Sequence, residues 1–360
     1  MKTSLRALSK NLLINIKDLP DIEISGISLN SSKTKPGDLF IAIPGSKADG
    51  HDFISEAIDN GAKAVVTNGR NIDGLDIPQL KVNNPRKAAS IIASNFYQNP
   101  SKNMKVIGIT GTNGKTTVAT ILSKIIECAG HNVAQLGTLG LKSKLVNLSK
   151  TLTTPDSLSL QKTFSILNKK KCSHVVMEVS SHGIDQHRVD TVDFDFAVFT
   201  NLTPEHLDYH ITMENYFNAK SQLFKKLKNS AVAIINGSDQ YGQKLKCIIK
   251  CPPILFSMDD ENQIHYKNIK MSIDGIEGEV CADKYTYIIE SKLVGDFNAE
   301  NILSALAVAH ALGIKKEVIE KGIKLCKTIP GRMEIFQQQN GSKIIVDYAH
   351  TPDAYQKILS

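Results

Sequence analysis

Lys105-Val106-Ile107-Gly108-Ile109-Thr110-Gly111-Thr112-Asn113-Gly114-Lys115-Thr116-Thr117 is the stretch on which the fold turns. Lys105 to Ile109 reads as a strand, a glycine-rich turn follows, and the spacing predicts a helix from Thr116 to Ala129 closed by Gly130. Strand, turn and helix in that order form the setting of a phosphate-binding loop, where backbone N–H groups at a helix start meet an anion. The commoner spacing, Gly-x-x-x-x-Gly-Lys-Thr, would need glycine at position 109, which is Ile109; here the loop opens with Gly111. The chemistry survives that change. Gly111 and Gly114 admit phosphate oxygens to the backbone, Lys115 neutralises the β- and γ-phosphates, and the Thr116 hydroxyl is a ligand for magnesium. ATP with Mg2+, held by Gly111, Thr112, Asn113, Gly114, Lys115, Thr116 and Thr117, is the expected cofactor pair.

Working outward, the apolar runs His174–Met177, Phe196–Phe199 and Ala231–Ile235 read as buried parallel strands with helices between them. That pattern predicts an α/β fold with a central, doubly wound, mostly parallel sheet. Residues 264–294 alternate in polarity and suggest a small antiparallel addition, and a helix over Ala299–Leu312 stops at Gly313. Upstream, the first hundred residues form a smaller α/β unit. A turn at Lys35-Pro36-Gly37-Asp38 leads into strand Leu39–Ile43, with helices expected over 53–61 and 88–97 and a strand at Ala64–Val66. Met1–Leu8 has the spacing of a short amphipathic helix. Breaks at Asn99-Pro100-Ser101-Lys102-Asn103 and Ile329-Pro330-Gly331 divide the chain into 1–102, 103–330 and 331–360, the last too short to bury a core.

Composition narrows the classes. The 360 residues are 41% hydrophobic and 22% charged, as in a soluble globular protein, with no apolar run long enough to cross a bilayer. The N-terminus lacks the apolar stretch and cleavage site of a secretory signal. Six cysteines without a Cys-x-x-Cys pair argue against zinc or a disulfide framework and for reduced thiols in a cytoplasm. The net charge of +7 is spread along the chain, and Lys169-Lys170-Lys171, its one tight run, reads as a solvated loop. An anionic small substrate is expected rather than nucleic acid or a membrane.

Three further segments carry a resemblance. With Thr110–Thr117, the runs Met177-Glu178-Val179-Ser180-Ser181-His182-Gly183, Gln186-His187-Arg188 and Thr200-Asn201-Leu202-Thr203-Pro204-Glu205-His206-Leu207-Asp208-Tyr209-His210 resemble the Mur ligase family of ATP-dependent amide-bond ligases over essentially the whole chain. The last two segments resemble the branch that adds the third amino acid of the peptidoglycan stem. The resemblance implies partners: UDP-N-acetylmuramoyl-L-alanyl-D-glutamate and a diamino acid, meso-diaminopimelate or L-lysine, with a monomer as the working form. It implies that ATP converts a carboxylate to an acyl phosphate, which the amine then attacks.

Residue by residue, the resemblance makes Thr116, Glu178, His206 and Lys220 the magnesium set, with Lys220 as a carbamate and Lys115 the catalytic cation. On their own terms, Glu178 ends a buried strand where α/β sheets place ligands, and His206 sits in a loop. Lys220 lies on an expected helix, 213–227, where a lysine ordinarily snorkels to water. Ser31, Thr153, Thr154, Ser180, Gln186 and Arg188 are implied to hold the nucleotide-sugar peptide. Thr153-Thr154 equally suits a helix N-cap before Pro155. Asn301 and Arg332 are implied to serve the nucleotide, alongside Asp347-Tyr348-Ala349-His350. In the first domain Asn30-Ser31-Ser32 stands where the family has Asp-Ser-Arg, and Gly45-Ser46-Lys47-Ala48-Asp49-Gly50 resembles its uracil-contacting loop.

The family's third domain is normally a complete Rossmann-like unit that holds the amino acid. The resemblance therefore implies that the chain ends in the beginning of that domain and binds nucleotide sugar and ATP without completing the reaction. Two alternatives stand beside this reading: a folylpolyglutamate synthetase-like ligase, and a non-catalytic nucleotide-binding protein.

Overall fold

The computed structural model describes residues 2–45, 48–146, 152–259, 262–339 and 342–359. They divide into two compact units, one of residues 1–102, 155–168 and 185–192, the other of 103–154, 169–184 and 193–360.

In the first unit, Gly26–Ser28, Asp38–Ile41, Ala64–Thr67 and Gln79–Lys81 form a four-stranded parallel sheet in that order. The two central strands are buried throughout, as strands covered on both faces must be. Alternation sorts their side chains. Leu39, Ile41 and Val66 pack with Leu5, Leu8, Ile92 and Phe96, whereas Phe40, Ala42 and Val65 pack with Ile54 and Ala57. The helix Pro85–Phe96 starts earlier than its apolar spacing suggests, because the Asn84 side chain accepts from Lys87 N and Pro85 fits the first turn. The N-terminal helix is shorter than expected. Thr3–Ser4 pairs as a strand with Glu23–Ile24, and Ser4 then caps a single turn, Leu5–Leu8. The two distant segments join this unit through side chains: Thr191 bonds Ser90 and Gln161, and Asn84 bonds His187.

The second unit is built on a ten-stranded sheet. From edge to edge it runs Tyr285–Ser291, Gly275–Ala282, Ile264–Ser272, Pro253–Ser257, Val232–Asn236, Phe196–Phe199, Lys105–Thr110, His174–Glu178, Val133–Gly137, Gly140–Ser143. The seven strands from Ile264–Ser272 to Val133–Gly137 are mutually parallel, and both edges are antiparallel. The expected antiparallel addition is thus a continuation of the main sheet. Helices Lys115–Cys128, Asp296–Ala311 and Lys316–Leu325 contribute Val118, Ile121, Leu122, Ile302, Leu306 and Ile319 to its core. Lys105–Thr110 lies centrally, and both its neighbours follow it in sequence, so the loop after it opens into a crevice at the carboxyl ends of the strands. At the end of the chain, Glu334–Gln337 pairs with Lys343–Val346 and a helix covers Pro352–Leu359. No helix among the described residues is long and apolar enough to cross a membrane.

Candidate active site

The loop between Lys105–Thr110 and Lys115–Cys128 takes a backbone course that requires glycine. Gly111 has φ 151° and Gly114 φ 86°, and a Cβ on Gly114 would lie 2.2 Å from Asn301 Oδ1. The next crossover holds the loop open. Thr112 N donates to Asn201 O at 2.9 Å, Asn113 N to Asn201 Oδ1 at 2.8 Å, and Thr200 Oγ1 to Asn113 O at 2.6 Å. Lys115 folds over the loop, donating to Gly111 O at 2.9 Å and Thr112 O at 2.7 Å. Burial lowers its pKa; Glu205 and Glu178 oppose that shift, and Arg332 adds to it.

Glu178 is the last residue of its strand and is fully buried. A carboxylate in that position must be satisfied. Thr116 Oγ1 donates to Oε2 at 2.9 Å, Thr138 Oγ1 to Oε2 at 3.0 Å, and Thr138 N to Oε1 at 3.1 Å. The network continues to the expected substrate residues. Thr138 and Thr153 hydroxyls lie 3.2 Å apart, and Thr154 Oγ1 donates to Glu178 O at 3.0 Å while accepting from Ser180 N at 2.9 Å. Ser180 Oγ in turn accepts from Gly183 N. The helix-cap reading of Thr153-Thr154 is not what the structure shows. Asp156 accepts from Ser159 N and Oγ at the start of helix Ser157–Lys169, leaving both threonines to the Glu178 network.

Lys220 does not snorkel. It is 1% exposed, donates from Nζ to Gly111 O at 2.9 Å and sits 4.5 Å from the centre of the Tyr216 ring. Burial, with the nearby Lys115 charge, holds its pKa well below the usual range. His206 adopts a left-handed backbone (φ 55°), stands edge-on to His182 at 4.8 Å and lies 3.6 Å from Glu205 Oε2. Burial lowers its pKa and favours the neutral imidazole.

A cleft of about 1240 Å³, counting its open mouth, gathers the loop, Thr153, Glu178, Ser180, His206, Asn301 and Arg332. Asn301 Nδ2 donates to Asn298 Oδ1, which turns its own oxygen toward Gly114. The Arg332 guanidinium stacks 5.0 Å over Tyr348, and His350 Nε2 lies 3.0 Å from Glu205 Oε1. Among the described residues no three His, Cys, Asp or Glu side chains converge as a metal cage. Yet the touching hydroxyl and carboxylate of Thr116 and Glu178 are the hard oxygen donors that Mg2+ prefers, an ion that takes few protein ligands and keeps waters and phosphate oxygens. The donor set therefore fits magnesium, and the glycine loop with Lys115 fits a triphosphate.

Ser31, Gln186 and Arg188 belong to the other compact unit. There Arg188 Nη2 donates to Gln186 Oε1 at 2.6 Å, and buried Ser31 begins the single turn Ser31–Lys33, which Asn30 caps. In the expected uracil loop, Gly45 N bonds Ala48 O and Asp49 pairs with His51 at 2.6 Å; Ser46 and Lys47 lie outside the described residues. Gly137, Thr138, Asn201 and Glu205 also build the site. Asn201 and Glu205 stand inside the family-like segment Thr200–His210, whereas Gly137 and Thr138 carry no local signal in the sequence.

Residues 109–309 match the Mur ligase middle domain and residues 23–97 the Mur ligase family catalytic domain. The chain is similar to the UDP-N-acetylmuramoyl-L-alanyl-D-glutamate–2,6-diaminopimelate ligase of Geobacter sulfurreducens, at 41% identity over 94% of this chain and 67% of that protein. It is 38% identical to the Syntrophomonas wolfei ligase of the same name, over 98% of this chain and 73% of the relative. A solved structure of a ligase of that name superposes with a TM-score of 0.83 at 29% identity, covering 100% of this chain and 74% of its own.

Proposed function

This chain belongs to the Mur ligase family, and on that premise we propose that it is an ATP-dependent ligase joining 2,6-diaminopimelate to UDP-N-acetylmuramoyl-L-alanyl-D-glutamate. The observation that carries the reading is the contact of Thr116 with Glu178 at the mouth of the glycine loop. ATP with magnesium, when bound, supplies the phosphoryl group that makes a substrate carboxylate reactive toward an amine.

The chain's own residues position that chemistry. Loop N–H groups and Lys115 orient and neutralise the phosphates. Thr116 and Glu178 hold the cation, with His206 and a carbamylated Lys220 as its further partners. Burial lowers the Lys220 pKa and so favours the neutral amine, the nucleophilic form that carbamylation by carbon dioxide requires. Thr153, Thr154 and Ser180, tied to the Glu178 strand, offer hydroxyls to the substrate side, and Ser31, Gln186 and Arg188 receive the nucleotide sugar. Asn301 and Arg332 serve the adenine nucleotide. In this division residues 1–102 take the UDP moiety, 103–330 the ATP, and 331–360 begin the amino-acid side. Six free cysteines support a reducing, cytoplasmic setting.

The test separates activation from amide formation. With ATP, Mg2+, UDP-N-acetylmuramoyl-L-alanyl-D-glutamate and hydroxylamine, the chain should form the nucleotide-sugar hydroxamate. With the diamino acid in place of hydroxylamine, incorporation of 2,6-diaminopimelate ahead of L-lysine would show that the chain completes the reaction, against the expectation drawn from its short third segment. No hydroxamate and no ATP turnover, from a folded chain that binds both substrates, would overturn the proposal.

A further inference from the structure

The helix Lys115–Cys128 carries Thr120, Ser123, Lys124 and Glu127 at three- and four-residue spacing, so they share a face. That face walls a concavity of about 950 Å³, counting its open mouth. The strand Val133–Gly137, the edge strand Gly140–Ser143 and the segment 325–328 close its other sides.

Four lysines, Lys124, Lys142, Lys144 and Lys327, and one acid, Glu127, line it. Glu127 is shared by Lys124 at 3.7 Å and Lys144 at 3.6 Å; no carboxylate within ion-pair distance accompanies Lys142 or Lys327 among the described residues. Cys326 adds no negative charge at neutral pH, since burial pushes its thiol up to about 11. On the helix wall Ser123 is 8% exposed as a residue, and its hydroxyl oxygen is buried with no hydrogen-bond partner among the described residues. A buried donor without an acceptor costs free energy until one arrives. Burial also lowers the Lys142 pKa, a penalty that a bound anion offsets.

We propose that this concavity binds a phosphate-bearing small molecule, at a site separate from the glycine loop. Lysines act as point-charge partners for phosphate, and a serine hydroxyl supplies the directional bond. The concave walls suit a compact anion. A single-stranded polynucleotide is disfavoured, because no aromatic side chain lines the site for base stacking.

Inorganic pyrophosphate titrated calorimetrically into the chain already saturated with a non-hydrolysable ATP analogue and Mg2+ should reveal one additional saturable site. Lys142→Met with Lys327→Met should weaken it at least about tenfold while leaving analogue affinity, and hence folding, unchanged. Lys115→Met should weaken the analogue and spare the pyrophosphate. Absence of pyrophosphate binding to the loaded chain, or equal binding by the double variant, would overturn the proposal. So would an oligonucleotide that binds through these lysines where pyrophosphate does not.

Discussion

Gly137 has no side chain where Glu178 needs the room: a Cβ on Gly137 would stand 2.0 Å from Glu178 Oε1. The parallel pairing of Leu136 with Met177 sets the next two residues, Gly137 and Glu178, side by side at the strand ends. Both residues are buried, so neither strand has free space to yield. Gly137→Ala should therefore push the carboxylate off Thr116 and Thr138. Displacement of a reacting group by about 1 Å is worth roughly 100-fold in rate, and hydroxamate formation should fall by that order. Thermal unfolding should show a loss of about 1–3 kcal/mol, as for an overpacked core. Wild-type activity in the variant would mean that Glu178 has no positional role.

Glu178→Gln tests the charge rather than the position. The amide keeps the shape, but its NH2 replaces one of the two oxygens, so either the Oε2 side, which accepts from Thr116 Oγ1 and Thr138 Oγ1, or the Oε1 side, which accepts from Thr138 N, loses its acceptor. Loss of the negative charge and of one acceptor oxygen should reduce kcat/KM by at least about 1,000-fold. The Mg2+ concentration needed for half-maximal activity should rise, whereas binding of the nucleotide sugar, measured directly, should not change. An unaltered Mg2+ requirement would remove Glu178 from the cation site.

The strand, loop and helix from Lys105 to Cys128 were legible because the signal is local: an apolar run, glycines at fixed spacing and a helical face. The Gly137–Glu178 relationship was not, since a glycine at a strand end reads as a turn until the strand beside it is known. The same limit hid residues 155–168 and 185–192, which join the first unit through contacts such as Thr191 with Ser90 across a hundred positions of sequence. Lys220 shows a different limit. A lysine among apolar neighbours on a helix suggests snorkelling, and only the fold turns it inward onto the Gly111 carbonyl.

That inward lysine gives the third prediction. Incubation with 13C-labelled bicarbonate should produce a carbamate carbonyl resonance that Lys220→Arg abolishes. The guanidinium is permanently charged and forms no carbamate, so hydroxamate formation should fall at least about 100-fold and excess bicarbonate should not restore it. A labelled resonance that persists in Lys220→Arg would assign the carbamate to another lysine. A wild-type chain without the resonance, active in carbon dioxide-free buffer, would leave Lys220 as an ordinary amine donating to Gly111.

His174 sets an acid limit on stability far from any of this chemistry. Its ring lies 4.7 Å from that of His131, tilted at 42°, and Nδ1 lies 2.9 Å from Ser173 Oγ. Burial, then the His131 and Lys105 charges, lower its pKa from 6.5 to about 4, against a smaller opposing pull from Asp195. Folding thus favours the neutral ring. Between the two values the unfolded chain binds more protons, so this contribution is whole above about pH 6.5 and is lost as pH falls through about 4. His174→Gln keeps a hydrogen-bonding side chain without that titration. Between pH 7 and pH 4.5 its urea midpoint should fall less steeply than the wild-type midpoint, with equal m-values. Parallel pH profiles for the two proteins would show that His174 is not held neutral in the fold.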